Sequence, residues 1–150
     1  MPDILVDADA CPVKQEVYRV AKRYGLKVIL VANSPINMPE DDGISLVVVN
    51  GQLDAADDWI ADHAARNDIV ITGDIPLAAR CVKIGARVLG TRGKVFTEAA
   101  MGNILATRDL LTQLRNMGID TERPAVFNKQ DRSRFLQSLD TIIRAILAGK

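Results

Sequence analysis

Three groups of carboxylates occupy positions in the sequence where chemistry can be built. The first is Asp7-Ala8-Asp9-Ala10-Cys11-Pro12, directly after the apolar run Ile4-Leu5-Val6. The second is Asp54 with Asp57 and Asp58, and the third is Asp74 in Thr72-Gly73-Asp74. Residues three apart on a helix are surface neighbours, so Asp54 and Asp57 can converge on one cation. Crowded carboxylates repel and raise one another's pKa values, a cost that a divalent cation removes. With oxygen donors in these segments and a single histidine, His63, in the chain, the site suits Mg²⁺ or Mn²⁺ rather than zinc or copper. Each acid also has a structural use. Asp9 can cap the following helix while Asp7 orders the turn, and Asp54 can cap a helix whose positive end Asp57 and Asp58 complement, for about 0.3–1 kcal/mol each. Asp54 and Asp57 stand evenly between the two uses; Asp58 falls on the structural side, and His63 reads as packed or solvated.

Basic residues come later in the chain. Gly90-Thr91-Arg92-Gly93-Lys94 offers Arg92 and Lys94 to a phosphate, or is an ordinary basic loop, and it carries no P-loop or dinucleotide glycine pattern. Lys129, Arg132 and Arg134 surround Asp131 at the start of the last amphipathic stretch, suited to a polyanion or to solvent. Arg108 falls near an apolar stripe, where it can snorkel or reach an anion. The two cysteines, Cys11 and Cys81, form no C-x-x-C pair. A thiol near a helix start can be activated for redox sensing, but Asp7 and Asp9 push the Cys11 pKa upward and favour a buried, inert group.

Positioning these residues requires a scaffold, and the sequence supplies alternating strands and helices. Ile4–Val6 reads as a strand buried on both faces, with Pro12 opening a helix that runs to Tyr24 and ends at Gly25. Leu26–Ala32 is a second strand. Asn33–Gly43 is a polar connection or a lid, barely long enough for a parallel crossover, which leaves the direction of the third strand, Ile44–Val49, open. A helix over Asp54–Arg66, a strand over Asp68–Thr72, a helix from Ile75 to Ile84 and a strand over Ala86–Leu89 follow. Helices over Thr97–Met117 and Asp131–Leu147 complete the chain, with a turn-rich stretch between them. The pattern predicts an α/β fold around a mostly parallel sheet of about five strands. If the first and fourth strands are parallel neighbours, Asp7, Asp74 and the helix starting at Asp54 meet at the carboxyl edge, where open α/β sheets bind ligands.

A chain of 150 residues, 48% hydrophobic and 25% charged, predicts one globular domain over residues 1–150. The first residues lack a signal-peptide pattern and no apolar run approaches the roughly 20 residues needed to span a bilayer, so a cytoplasmic protein without a membrane span is expected. Net charge is zero, yet residues 1–90 carry 9 basic and 13 acidic side chains against 10 and 6 over residues 91–150. An acidic site beside a basic surface would give that asymmetry, as would scattered solvated charges. Neither oligomeric state nor physiological substrate is written in the sequence.

Together, Asp7-Ala8-Asp9-Ala10-Cys11-Pro12, Asp54-Ala55-Ala56-Asp57, Thr72-Gly73-Asp74-Ile75-Pro76-Leu77-Ala78, Arg92-Gly93 and Asp131-Arg132-Ser133-Arg134-Phe135 resemble the uncharacterised bacterial YaiI/YqxD family over nearly the whole chain. That family is grouped with the PIN-like superfamily. The resemblance implies a three-layer α/β/α fold and, in active members, acidic residues that bind Mg²⁺ or Mn²⁺ for RNA cleavage. By position Asp7 matches the first-strand acid, Asp74 the acid after the fourth strand, and Asp54 or Asp57 the middle acid. Asp9 and Cys11 are additions particular to the family, and no late acid is matched. The function expected is metal-dependent hydrolysis of RNA phosphodiester bonds, with Asp7, Asp54, Asp57 and Asp74 catalytic and joined by Asp9 as metal ligands. Arg92, Lys94 and Arg132 would hold phosphate. One alternative is a haloacid dehalogenase-type phosphatase using Asp7-x-Asp9, although Cys11 stands where that motif has Ser or Thr. Another is a non-catalytic RNA-binding or regulatory module.

Overall fold

The computed structural model describes residues 1–52, 54–102 and 126–149. Six strands form one sheet: β1 (Ile4–Asp7), β2 (Val28–Ala32), β3 (Ile44–Val48), β4 (Ile69–Ile71), β5 (Arg87–Leu89) and β6 (Val95–Phe96), in spatial order β3-β2-β1-β4-β5-β6. The first five are parallel, and β6 returns antiparallel beside β5. β3 is therefore parallel to β2. Its crossover contains no helix, and Ile36 and Met38 in that connection pack against the core instead.

The described helices are α1 (Lys14–Tyr24), α2 (Ala55–His63), α3 (Ile75–Lys83) and α4 (Lys129–Leu147); residues 98–102 are also helical. Strand side chains alternate between faces. Ile4, Val6, Leu30, Ile69, Ile71 and Leu89 meet α1 and α4, while Leu5, Val31, Val70 and Val88 meet α2 and α3. This is a three-layer α/β/α arrangement in which β1 and β4 are buried almost completely on both sides. Of the stretch predicted as a helix over Thr97–Met117, Thr97 caps the start by accepting a hydrogen bond from the Ala100 N–H. The positions from Asn103 onward, including Ile104, Leu105, Arg108, Leu111 and Leu114, lie outside the described residues, as does most of the turn-rich stretch before α4. Among the described residues no helix is long and apolar enough to cross a membrane.

Two local expectations are corrected. Pro12 does not open α1. Ala8–Ala10 form a 3-10 turn, Cys11 is extended, and residues 12 and 13 turn again so that fully buried Val13 enters the core before the helix begins at Lys14. Asp9 does not cap that helix. Its Oδ2 instead accepts the Asn33 N–H at 2.9 Å, tying the turn after β1 to the end of β2.

Candidate functional site

Register brings the acids together. Val6 of β1 lies opposite Ile71 of β4, so Asp7 and the Thr72-Gly73-Asp74 segment leave adjacent parallel strands at one edge. Thr72, 1% exposed, joins them: its hydroxyl donates to Asp7 Oδ2 at 3.0 Å and accepts the Asp74 N–H at 3.0 Å. Asp74 caps α3, with Oδ1 accepting the Leu77 N–H at 2.9 Å and Pro76 in the first turn, where its missing N–H costs nothing. Each of these carboxylates spends one oxygen on its hydrogen bond.

The helix α2 brings the middle acids from the same face of the sheet. Asp54, Asp57, Asp58, Asp74, Pro76, Leu77 and Arg80 line an open pocket of about 340 Å³. Asp54 stands at the N-cap position of α2 with φ 70°, in the left-handed region, and its side chain makes no capping bond. That conformation costs a non-glycine residue of order 1 kcal/mol or more. The capping use foreseen for Asp54 is not realised. Asp58 takes the structural side, pairing with Arg80 at 2.8 Å across α2 and α3. His63 stacks on Trp59 with ring centroids 3.9 Å apart, at the other end of α2.

Electrostatics record the crowding. Burial is the main force pushing the Asp7 carboxyl above its ordinary pKa; Asp74 and Asp9 add to it and the Thr72 hydrogen bond opposes it. Asp57 is pushed up to about 6, by partial burial first and then by Asp74, Asp7 and Asp54, with Arg80 opposing. The donor set fits a hard divalent cation in type, all carboxylate oxygen, and a cation would relieve this repulsion. Among the described residues no three of these side chains are already drawn into a chelating group. A larger groove of about 600 Å³ opens at the opposite edge, lined by Tyr18, Arg19, Lys22, Lys27 and Asp41 among others, so that basic and acidic side chains are mixed there.

The basic residues gather beside this edge rather than in the pocket. Arg92 lies in the tight β5–β6 hairpin and reaches Asp131 at 3.2 Å, while Lys94 is exposed next to it. Arg132 pairs with buried Glu16 of α1 at 2.8 Å and stands over the Phe127 ring at 5.2 Å. Cys11 is buried, and burial raises its pKa; burial also pushes the Cys81 thiol up, to about 11. Two site residues escaped the sequence reading. Thr72 was visible within its motif but gave no sign of bridging two acids, and Arg80 reaches the pocket only because α2 and α3 are adjacent in space.

Fold and site together define a three-layer α/β/α protein with an acidic pocket at the carboxyl edge of a parallel sheet, flanked by arginines. The chain belongs to the uncharacterised YaiI/YqxD family, whose model matches residues 5–145. It is 53% identical to a UPF0178 protein of Rhodospirillum centenum over the full length of both chains. A UPF0178 protein of Bradyrhizobium sp. (strain ORS 278) is 55% identical, with 95% of this chain and 87% of that one covered. One from Rhodopseudomonas palustris (strain BisB18) is 54% identical, covering 95% and 92%. No solved structure matches the chain.

Proposed function

We propose that the protein is a Mg²⁺- or Mn²⁺-dependent nuclease that hydrolyses RNA phosphodiester bonds, as the PIN-like resemblance implies. The observation that carries this reading is the convergence of Asp54, Asp57 and Asp74 on one open pocket, with Asp7 hydrogen-bonded behind them through Thr72. Asp7, Asp74 and Asp54 or Asp57 would hold the cation, with Asp9 beside them on the same turn. When bound, the ion lowers the pKa of water and neutralises charge on the leaving oxygen. Thr72 orients Asp7 by donating to its Oδ2, which leaves the other oxygen for the cation. Where Asp54 supplies the ligand from α2, Asp57 in the same pocket would take the proton released by the attacking water. Arg80 at the rim and Arg92, Lys94 and Arg132 beside the edge would bind the phosphate backbone.

The test is cleavage of a mixed-sequence single-stranded RNA with Mn²⁺ or Mg²⁺ by wild type and Asp7→Asn purified in parallel. Cleavage by the wild type and a loss of at least about 100-fold in the folded variant are expected, since losing a carboxylate ligand weakens or displaces a cation that contributes several kcal/mol of transition-state stabilisation. Equal rates in the two preparations would remove Asp7 from the reaction. Silence of both would point to a module that binds without turnover.

A further inference from the structure

The acidic pocket uses only one side of the sheet. Across the same edge, on the side of α1 and α4, three guanidinium groups and an aromatic ring form a second assembly. Arg92 and Arg132 stand over Phe127, at 5.9 Å and 5.2 Å from its centroid. Arg134 and Arg92 share the carboxylate of Asp131, at 2.6 Å and 3.2 Å, and Arg132 is held by Glu16 Oε1 at 2.8 Å and by the Pro12 carbonyl at 3.4 Å. Glu16 and Asp131 are both more than nine-tenths buried, whereas the arginine side chains are 39–62% exposed. Asp131 is also fixed by a reciprocal capping box with Asn128. Buried anions thus hold exposed cations in place. Glu16 Oε2 is buried without a hydrogen-bond partner among the described residues, so desolvation was incurred for a contact made through one oxygen only.

Such a preorganised fork of arginines matches phosphate oxygens, and guanidinium planes beside an aromatic ring accept unpaired bases. The route from the pocket to this assembly is short in sequence: Asp7 ends β1, and the Pro12 carbonyl bound by Arg132 lies five residues on. A chain occupying both must bend round the sheet edge. A flexible single strand can do so and still present its bases, while a duplex is stiff and keeps its bases paired.

We infer that Arg92, Arg132, Arg134 and Phe127 form a binding platform for the single-stranded RNA segment flanking the bond cut in the acidic pocket. The inference rests on the nuclease reading for the identity of the strand, but its test does not require cleavage. Fluorescence anisotropy of a short fluorescein-labelled single-stranded RNA is measured in EDTA with wild type, Arg134→Gln, Phe127→Leu and Arg19→Gln, each checked for native circular dichroism. Arg19 lines the groove at the opposite edge and controls for loss of one positive charge. Wild type and Arg19→Gln are expected to bind alike. Arg134→Gln and Phe127→Leu should each weaken binding at least threefold, and a duplex of the same sequence should bind more weakly than the single strand. Wild-type affinity in both platform variants, no binding by the wild type, or equal binding of the duplex would overturn the platform. Platform-dependent binding together with silence in the Mn²⁺ cleavage assay would overturn the nuclease reading alone.

Discussion

Asp57 concentrates the electrostatics of the site in one side chain. In the folded protein its pKa is raised to about 6 from an ordinary 3.8, so between about pH 4 and 6 the folded state retains a proton that the unfolded chain has released. Stability therefore falls as pH rises through that window, and the penalty is complete above about 6. Asp57→Asn removes it. Urea unfolding in EDTA should show the variant more stable than wild type at neutral pH, by no more than about 1 kcal/mol because much of the group is screened by solvent, with the gain vanishing below about pH 4. A gain independent of pH would show that the ionisation of Asp57 is not its source. Burial is the main cause of this shift, and the repulsion that adds to it was foreseeable from Asp54, Asp57 and Asp74 only in kind. Which acid carries it depends on burial and on Arg80, and neither is encoded locally.

Among the elements, the β5–β6 hairpin and α4 fit together through glycine. Gly93 has φ 91°, and a Cβ there would lie 2.7 Å from the Arg134 carbonyl carbon, while its own carbonyl accepts the Ser138 hydroxyl at 2.7 Å. Gly93→Ala would combine a left-handed backbone with a steric overlap, and should cost at least about 2 kcal/mol in unfolding free energy. Cost-free substitution would mean that the hairpin can move away from α4. The strands and their order of appearance were legible because short apolar runs bounded by turn residues have few other uses. The sixth strand was not, being two residues long. Nor were the pairings that shape the basic assembly: Glu16 with Arg132 and Arg92 with Asp131 are 116 and 39 residues apart, and only packing of α4 against α1 and the hairpin creates them. Pro12 misled for a related reason, since burial of Val13 outweighed the preference of proline for a helix start.

For the molecule as a whole, the proposed cation would link binding to folding. An ion that binds the folded chain stabilises it by about 2.7 kcal/mol at a hundred times its Kd, so Tm should rise with added Mn²⁺ and keep rising with its logarithm. Asp74→Asn isolates the effect, because asparagine can still cap α3 while lacking the charge. It should fold and show a much smaller Mn²⁺-dependent shift, measured by thermal unfolding; an undiminished shift would place the ion elsewhere. The convergence of the acids was readable because parallel strands send their carboxyl ends to one edge. The division of the edge between an acidic face and a basic face emerged only in three dimensions.

Trp59 is the only tryptophan in the chain, and it sits stacked on His63 in the same helix whose first turn carries Asp57. The protein therefore contains its own optical label on the element that a cation would pull. Intrinsic emission would report uptake of the proposed cation by the acidic pocket in unmodified protein, and every carboxylate variant discussed above retains that reporter.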